Sequence, residues 1–240
     1  MKAIILAGGR GNRLNTRSKE KNKCMFLLDN KPVIEYSLDN VISTDIQEII
    51  IIVGYRAEDI INHYGKEYKG RSIKYVIQRE QKGLVHAIKC ASFLIDDDNF
   101  MMLLGDEVMV RPRHRDMLEE FNRNKIFGIC GVLKVKDKKK IKRTYTLVQD
   151  DNRVIYRLVE KPNQPLNNMM GTGDCIFNNR ILDYIDITPI HHKRGEKELP
   201  DLIQCAIDEG KEIRSFDICA EYFNVNSELD LKEAEEYLEK

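Results

Sequence analysis

The sequence has no excess of either charge, no closely spaced cysteine pair and no apolar run long enough to cross a membrane. Its 39 basic and 39 acidic side chains cancel, so no overall field draws the chain to nucleic acid or to an anionic membrane. The six cysteines lack CxxC pairs and zinc-type spacing, which indicates buried thiols in a reducing compartment. The first apolar run, Ala3–Ala7, is too short for a signal peptide. We therefore expect a cytoplasmic protein that binds neither nucleic acid nor membranes.

Apolar runs alternate with segments of helical period through the first half of the chain. The runs that predict strands are Met1–Leu6, Glu48–Val53, Ser72–Gln78 and Phe100–Leu104. The segments that predict helices are Pro32–Ser43, Ala57–Tyr64 and Leu84–Leu94. This alternation is typical of an α/β fold in which a Rossmann-like, mixed but mostly parallel sheet is flanked by helices. Ligands of such sheets lie outside the carboxyl ends of the strands, so the loops after these strands are expected to face one crevice.

The second half of the chain has a different pattern. Phe127–Val135 and Thr144–Leu158 alternate polar and apolar residues on either side of the basic segment Lys136–Arg143, which predicts antiparallel strands flanking a basic hairpin. We interpret the hairpin as a solvated loop rather than a phosphate site. Helical periodicity returns at Glu198–Glu209 and in an acidic amphipathic segment, Leu229–Leu238, that is expected to pack on the sheet. No repeat or linker interrupts the chain, so a single domain is predicted.

A glycine-rich loop follows the first strand. Gly8, Gly9 and Gly11 can take positive φ and bring backbone N–H groups against an anion. Arg13 and Lys23 add positive charge beside them. A plain turn between a strand and a helix is the alternative, since neither the Walker sequence nor the dinucleotide-binding fingerprint is matched. The loop alone leaves both interpretations open.

The stretch LAGGRGNRL, with Lys23 ten residues after Arg13, resembles the signature of the sugar-phosphate nucleotidyltransferases, the thymidylyl and uridylyl pyrophosphorylase family. Further blocks keep the family's order as far as about Ser227, and they are Lys31-Pro32, QREQKGLVHA, LLGDEV, VEKP and GTGDCIF. The resemblance implies a GT-A-like nucleotidyltransferase fold over the whole chain. Its implied parts are a nucleotide-binding half over about 1–110, an acceptor-binding half over about 111–228 and a C-terminal helix over about 229–240.

The chemistry that the resemblance implies is attack by an acceptor phosphate on the α-phosphorus of a nucleoside triphosphate, with charge repulsion as the main obstacle. By the same resemblance the catalytic residues are Arg13, Lys23, Asp106 and Lys161. Mg²⁺ is the implied cofactor. Asp106, which follows a strand and Gly105, is the expected first metal ligand, and Asn224 is expected in place of the second.

The resemblance also implies which residues contact each of the two substrates. The nucleotide is expected to contact Leu6, Ala7, Gly8, Gly9, Gly11, Gln78, Gly83 and Leu84. The Gln78 amide can pair with the edge of uracil or thymine, while cytosine stays open because an amide can reverse its donor and acceptor. The acceptor is expected to contact Tyr145, Glu160, Lys161, Thr172 and Gly173.

Several positions depart from the family pattern. Asn224-Val225-Asn226-Ser227 stands where the family commonly has Asp-x-Gly-Thr, which removes a charge from the metal site. Thr144-Tyr145-Thr146 replaces a Tyr-Gly pair whose glycine approaches the sugar. The other departures are Glu107 for Asn, Gln81 for Pro, and Asp174 for an apolar or aromatic residue. The transfer machinery is recognisable, while the acceptor is left open.

The expected function is nucleotidyl transfer from a pyrimidine nucleoside triphosphate, with dTTP or UTP favoured, to a sugar 1-phosphate with release of pyrophosphate. One alternative is cytidylyl transfer to a non-sugar phosphate or phosphonate, suggested by the altered block at Tyr145. Another is a non-catalytic nucleotide-binding relative, suggested by Asn224 and Glu107. The expected partners are the triphosphate and a phosphorylated small-molecule acceptor, and a homo-oligomer is compatible with each of these functions. The chain ends soon after the Asn224 block, so a single activity is expected.

Overall fold

The computed structural model describes residues 1–9, 21–192 and 194–239. Its strands in chain order are β1 (Lys2–Ala7), β2 (Leu27–Leu28), β3 (Lys31–Pro32), β4 (Glu48–Val53), β5 (Glu67–Tyr68), β6 (Arg71–Ile77), β7 (Phe100–Leu104), β8 (Glu107–Val110), β9 (Gly128–Lys134), β10 (Tyr145–Gln149), β11 (Ile155–Glu160), β12 (Met169–Phe177), β13 (Ile213–Asp217) and β14 (Glu221–Asn224). Its α-helices are α1 (Ile34–Ile42), α2 (Ala57–Tyr64), α3 (Leu84–Ile95), α4 (His114–Asn124), α5 (Leu199–Asp208) and α6 (Glu228–Leu238). Short 3-10 helices lie at Lys23–Met25, Ile141–Arg143 and Asn179–Tyr184.

One mixed sheet of ten strands organises the described chain, with the order β11-β10-β12-β7-β1-β4-β6-β5 and with β9 and β13 beside this path. Strands β7, β1, β4 and β6 run parallel at its centre, and Ala3 of β1 is aligned with Ile49 and Met101. Apolar clusters cover both faces of these strands, which explains why β4 is almost continuously apolar. The α/β fold and the strands and helices expected in the first half are confirmed.

The carboxyl ends of the parallel strands approach one another closely. A Cβ atom on Gly54, directly after β4, would lie 2.7 Å from the carbonyl oxygen of Gly8, directly after β1. A Cβ atom on Gly105, directly after β7, would lie 3.3 Å from the Cβ of Ala7. Glycine at these positions therefore lets three strand ends converge on one edge of the sheet.

The basic segment Lys136–Arg143 is not the predicted hairpin. The strands on either side of it, β9 and β10, do not pair with each other but both pair with β12, so the segment connects two neighbours of one strand. Its last turn is a 3-10 helix in which Ile141 is fully buried. The single stretch expected at Thr144–Leu158 is a β10–β11 hairpin that turns at Arg153, where φ is +65°. The sequence patterns do not predict α4, β12, β13 or β14.

The C-terminal helix α6 packs on short strands rather than on the main sheet, so this prediction is wrong. It contacts β2 and β14, and Leu231 and Ala234 join a separate apolar cluster with Leu28 and Phe223. The two-stranded sheets β2–β3 and β8–β14 supply this apolar surface. Across the described residues, no helix combines the length and the apolar character needed to span a bilayer.

Candidate active site

A cavity of about 460 Å³ opens at the carboxyl edge of the parallel strands. Its walls come from the loops after β1, β6 and β7 and from β10, β11, β12 and the start of α5. The predicted site residues that line it are Leu6, Ala7, Gly8, Gly9, Lys23, Gln78, Gly83, Leu84, Asp106, Tyr145, Glu160, Lys161, Thr172, Gly173 and Asn224. The fold thus brings the residues predicted to contact the nucleotide and those predicted to contact the acceptor into one space, whose two parts we call the nucleotide side and the acceptor side after these predictions. Gly11 and Arg13 lie outside the described residues, and their roles stay predictions.

Lys23 and Asp106 form an ion pair inside this cavity. Their side chains are only 11% and 13% exposed, and the Lys23 Nζ also donates to Oδ1 of Asn226 over 3.0 Å. Burial lowers the pKa of Lys23, but the negative charge of Asp106 and other nearby groups outweighs burial and leaves this pKa above its ordinary value. The cavity therefore holds a poorly solvated ammonium group that keeps its charge.

The 3-10 helix that carries Lys23 is anchored by the buried side chain of Asn22. The Asn22 Oδ1 accepts the N–H of Cys24 over 2.9 Å, which caps the turn. The Asn22 Nδ2 donates to the carbonyl oxygens of Ala7 and Tyr55 over 3.2 and 2.8 Å. These bonds tie Lys23 to the chain segments that follow β1 and β4, so its position is set by the sheet edge.

The Gln78 amide has a fixed orientation at the nucleotide side of the cavity. Its Nε2 donates to the carbonyl oxygen of Gly83 over 3.0 Å and lies 3.0 Å from Nδ1 of His86. A reversed amide would place two acceptors, Oε1 and the Gly83 oxygen, against each other. Gly83 has φ +87°, and a Cβ atom there would lie 2.5 Å from Oε2 of Glu196. The positive φ and the nearby Glu196 both disfavour a side chain at this position.

Carboxylates and cations alternate at the acceptor side. The Glu160 Oε1 lies 3.0 Å from Nζ of Lys161 and 3.4 Å from Nη1 of Arg194, and the Arg194 Nε lies 2.6 Å from Oε1 of Glu198. Burial raises the pKa of Glu198 to about 7, and the charge of Glu160 acts in the same direction. Lys161 itself has φ +41°, and its N–H donates to the carbonyl oxygen of Thr144 over 2.6 Å. Lys161 is thus held beside an acidic partner on the cavity wall, and Arg194 pairs with two carboxylates of that wall.

Tyr145, Thr172 and Gly173 meet at the junction of β10 and β12. The Tyr145 ring lies directly over Gly171, where a Cβ atom would come within 1.9 Å of the ring, so glycine accommodates the bulk that replaces the family's Tyr-Gly pair. The register of β12 against β9 shifts between Gly171 and Cys175. The Thr172 hydroxyl donates to the carbonyl oxygen of Gly131 over 3.0 Å and supports the irregular segment.

A family model described as nucleotidyl transferase matches residues 2–223. The chain belongs to the nucleotidyl transferase family. A UTP–glucose-1-phosphate uridylyltransferase, AglF of Haloferax volcanii, is 32% identical to this nucleotidyltransferase over 240 residues, which covers 100% of this chain and 97% of the relative. A glucose-1-phosphate thymidylyltransferase of Streptomyces griseus is 29% identical over 236 residues, covering 97% of this chain and 64% of the relative.

Solved structures show the same fold. A crystal structure described as a glucose-1-phosphate thymidylyltransferase of Bacillus anthracis in complex with sucrose has a TM-score of 0.88 and 26% identity, and the match covers 99% of this nucleotidyltransferase and 94% of that chain. A UDP-glucose pyrophosphorylase complexed with UDP-glucose has a TM-score of 0.89 at 20% identity, covering 100% and 99% of the two chains. The expected nucleotidyltransferase fold is confirmed.

The nucleotidyltransferase site supplies oxygen donors of the kind that Mg²⁺ prefers. Asp106 contributes a carboxylate and Asn224 an amide oxygen, and both line the cavity. Among the residues that the structure describes, no group of three or more His, Cys, Asp or Glu side chains could hold a metal ion. These donors fit an ion that takes most of its ligands from phosphates and water, as Mg²⁺ does in phosphoryl-transfer sites.

Sequence reasoning does not assign Tyr222, Arg194 or Asn226 a role in the nucleotidyltransferase site. The sequence does offer a signal for Asn226, because this residue lies in the same block as Asn224. Arg194 follows His191 and His192 in a loop whose composition predicts only solvent exposure, and only the fold brings it to Glu160.

Proposed function

We propose that this nucleotidyltransferase transfers a nucleoside monophosphate from UTP or dTTP to a sugar 1-phosphate, with release of pyrophosphate and with Mg²⁺ as cofactor. One observation carries the proposal: a single cavity is lined by the Gln78 amide, the Lys23–Asp106 pair and the Glu160–Lys161 pair. The names of two relatives, a UTP–glucose-1-phosphate uridylyltransferase and a glucose-1-phosphate thymidylyltransferase, support the same reaction.

The cations of the cavity address the main obstacle to this reaction, which is repulsion between two anionic phosphates. Lys23 would contact triphosphate oxygens and stabilise charge that develops at the α-phosphorus, and Lys161 would hold the acceptor phosphate in line for attack. Glu160 would accept hydrogen bonds from sugar hydroxyl groups. Mg²⁺, held by Asp106 and Asn224, would supply further positive charge on the phosphates.

The orientation of Gln78 favours uracil or thymine over cytosine. Its Nε2 donates one hydrogen to the Gly83 oxygen and lies 3.0 Å from the His86 Nδ1, which accepts the other hydrogen when His86 carries its proton on Nε2. In this arrangement only Oε1 of Gln78 is left for the base. Uracil and thymine carry a donor at N3, whereas cytosine has an acceptor there. The Gln78 oxygen therefore complements the N3 edge of the first two bases.

The thiols support a cytoplasmic location. All six cysteines are free, and four of them are buried. Unpaired thiols are typical of proteins in a reducing compartment.

Pyrophosphate release tests the proposal directly. The protein is incubated with UTP, dTTP or CTP, each with glucose 1-phosphate or a non-sugar phosphate such as phosphocholine, with Mg²⁺ or with EDTA. We expect the largest release with UTP or dTTP plus the sugar phosphate, and none with EDTA. Release with CTP and phosphocholine alone would overturn the base and acceptor assignments, and no release above Lys23→Ala from any pair would overturn catalysis.

A further inference from the structure

A chain of hydrogen bonds links the acceptor wall of the cavity to Lys23. Strands β8 and β14 pair antiparallel with Asn224 opposite Glu107, and Tyr222, two residues before Asn224, lies on the same face of this small sheet. The Tyr222 hydroxyl donates to Oε1 of Glu107 over 2.6 Å and accepts Nδ2 of Asn224 over 3.2 Å. Asn226 then donates to Oδ1 of Asn224, and its own Oδ1 accepts from Lys23 over 3.0 Å.

Glu107 is fixed by the irregular segment of β12. The register shift between Gly171 and Cys175 frees the N–H of Gly173 from the strand ladder, and this N–H donates to both carboxylate oxygens of Glu107 over 3.0 and 3.1 Å. A Cβ atom on Gly173 would lie 2.3 Å from Cδ1 of Leu104 and 2.9 Å from Oε1 of Glu107, so a side chain there would force both neighbours to move. Glu107 is only 3% exposed and thus serves as a rigid acceptor.

The number of donors and acceptors that each side chain offers fixes the direction of the hydrogen bonds in this series. Tyr222 has one hydroxyl hydrogen, which it donates in the hydrogen bond to Glu107. The group that faces the remaining lone pair of Tyr222 must therefore be a donor, which an asparagine amide provides and an aspartate carboxylate does not.

We propose that Tyr222 is a positioning residue whose hydroxyl, anchored on Glu107, orients the amides of Asn224 and Asn226 and so places the Lys23 ammonium. Glu107 is then the reason that residue 224 is an amide, and these two positions depend on each other. This inference rests on the proposed function for its activity readout. Tyr222 would thus influence activity through the position of Lys23 and not through contact with the substrates.

The reciprocal pair Asn224→Asp and Glu107→Gln tests the direction of the chain. Asn224→Asp places an acceptor against an acceptor, and Glu107→Gln offers Tyr222 a second donor and leaves its hydrogen without a partner. In the double variant, the amide introduced at position 107 donates to Tyr222, and Tyr222 donates to the carboxylate introduced at position 224. We expect each single variant to lose about 10²-fold in kcat/KM and the double variant to recover at least about tenfold relative to Asn224→Asp, because leaving a buried hydrogen-bonding group without its partner has a cost of this order.

Tyr222→Phe gives an independent measurement. We expect about a tenfold loss in kcat with little change in the KM of the acceptor, since the variant frees the amides but leaves Lys161 and Glu160 in place. Thermal melting confirms that each variant is folded. Additive losses in the double variant, or wild-type kcat in a folded Tyr222→Phe, would overturn the proposal.

Failure of the proposed function is seen separately, as a wild-type protein that releases no pyrophosphate. In that case the wild type, the two single variants and the double variant are compared for UTP affinity by calorimetry, because Lys23 would contact the triphosphate whether or not transfer follows. Recovery of affinity in the double variant supports the positioning role, and additive weakening overturns it.

Discussion

The Lys23 ammonium and the Asp106 carboxylate lie 83 residues apart in the chain and form a largely buried ion pair in the cavity. Lys23 belongs to a 3-10 turn, whereas Asp106 follows the glycine at the end of β7. The pair exists because parallel strands end at one edge of the sheet, and it places one cation and one carboxylate side by side in the cavity where the proposed reaction would take place.

Removal of the Lys23 charge is expected to abolish most of the activity without unfolding the protein. We expect Lys23→Ala to lower kcat/KM for pyrophosphate release by about 10²–10³-fold, the usual effect of removing one group that stabilises transition-state charge. Lys74→Ala is the matched control, because Lys74 is half exposed, pairs with Glu48 over 2.7 Å and does not line the cavity. Equal losses in the two variants would contradict a specific role for Lys23.

The carboxyl of Glu198 is expected to make stability depend on pH. Burial and the charge of Glu160 raise the pKa of Glu198 from 4.5 to about 7. The folded state then binds a proton that the unfolded state has released, so the free energy of unfolding falls as pH rises from about 4.5 through 7. Glu198→Gln removes this dependence, and its stability relative to the wild type should increase from pH 5 to pH 8 in urea titrations.

The control for this measurement is Glu58→Gln, at an exposed position of α2. A second test comes from acceptor kinetics, since Glu198 lines the cavity. Above pH 7 its negative charge opposes the acceptor phosphate, so the KM of the acceptor should rise more steeply in the wild type than in Glu198→Gln. Parallel pH profiles for the two proteins would contradict the assignment.

The resemblance locates the residues that line the cavity better than those that hold them in place. Asp106 and Gln78 follow apolar runs, so the rule for strand ends places them correctly. Glu107 stands out in the sequence only as a departure from the family, because its role depends on a register shift in β12 that no local pattern reveals. Nothing in the sequence indicates the role of Tyr222, because its hydrogen-bond partner lies on β8, 115 residues away.

Errors in the predicted fold have the same cause. The cations of Lys136–Arg143 suggest a hairpin only as long as β9 and β10 are assumed to pair, and the unpredicted strand β12 takes both as neighbours. The amphipathic pattern of α6 correctly predicts a helix with a buried face. It does not say which surface that face meets, because the short strands β2 and β14 have little sequence signal of their own.

The contact between Tyr145 and Gly171 is expected to control both stability and the shape of the acceptor side. The two residues are cross-strand partners, and a Cβ atom at 171 would lie 1.9 Å from the ring. We expect Gly171→Ala to destabilise the protein by about 1–3 kcal/mol, as overpacking does in a filled interior, and to raise the KM of the acceptor as the ring moves. Combining Gly171→Ala with Tyr145→Leu should restore part of the lost stability. If the changes in unfolding free energy from urea titrations simply add in the double variant, the two residues do not clash.

The fixed amide of Gln78 leads to a prediction about base selection. If Oε1 of Gln78 accepts the N3–H of uracil, Gln78→Ala should weaken UTP binding by about tenfold, the equivalent of one hydrogen bond lost, and change CTP binding much less. His86→Ala removes an acceptor that holds Nε2 but leaves the bond to Gly83, so it should lower the preference for UTP over CTP by a smaller factor. Calorimetric titration of both nucleotides into the three proteins measures these ratios. Equal weakening of UTP and CTP in Gln78→Ala would mean that this residue shapes the pocket without reading the base.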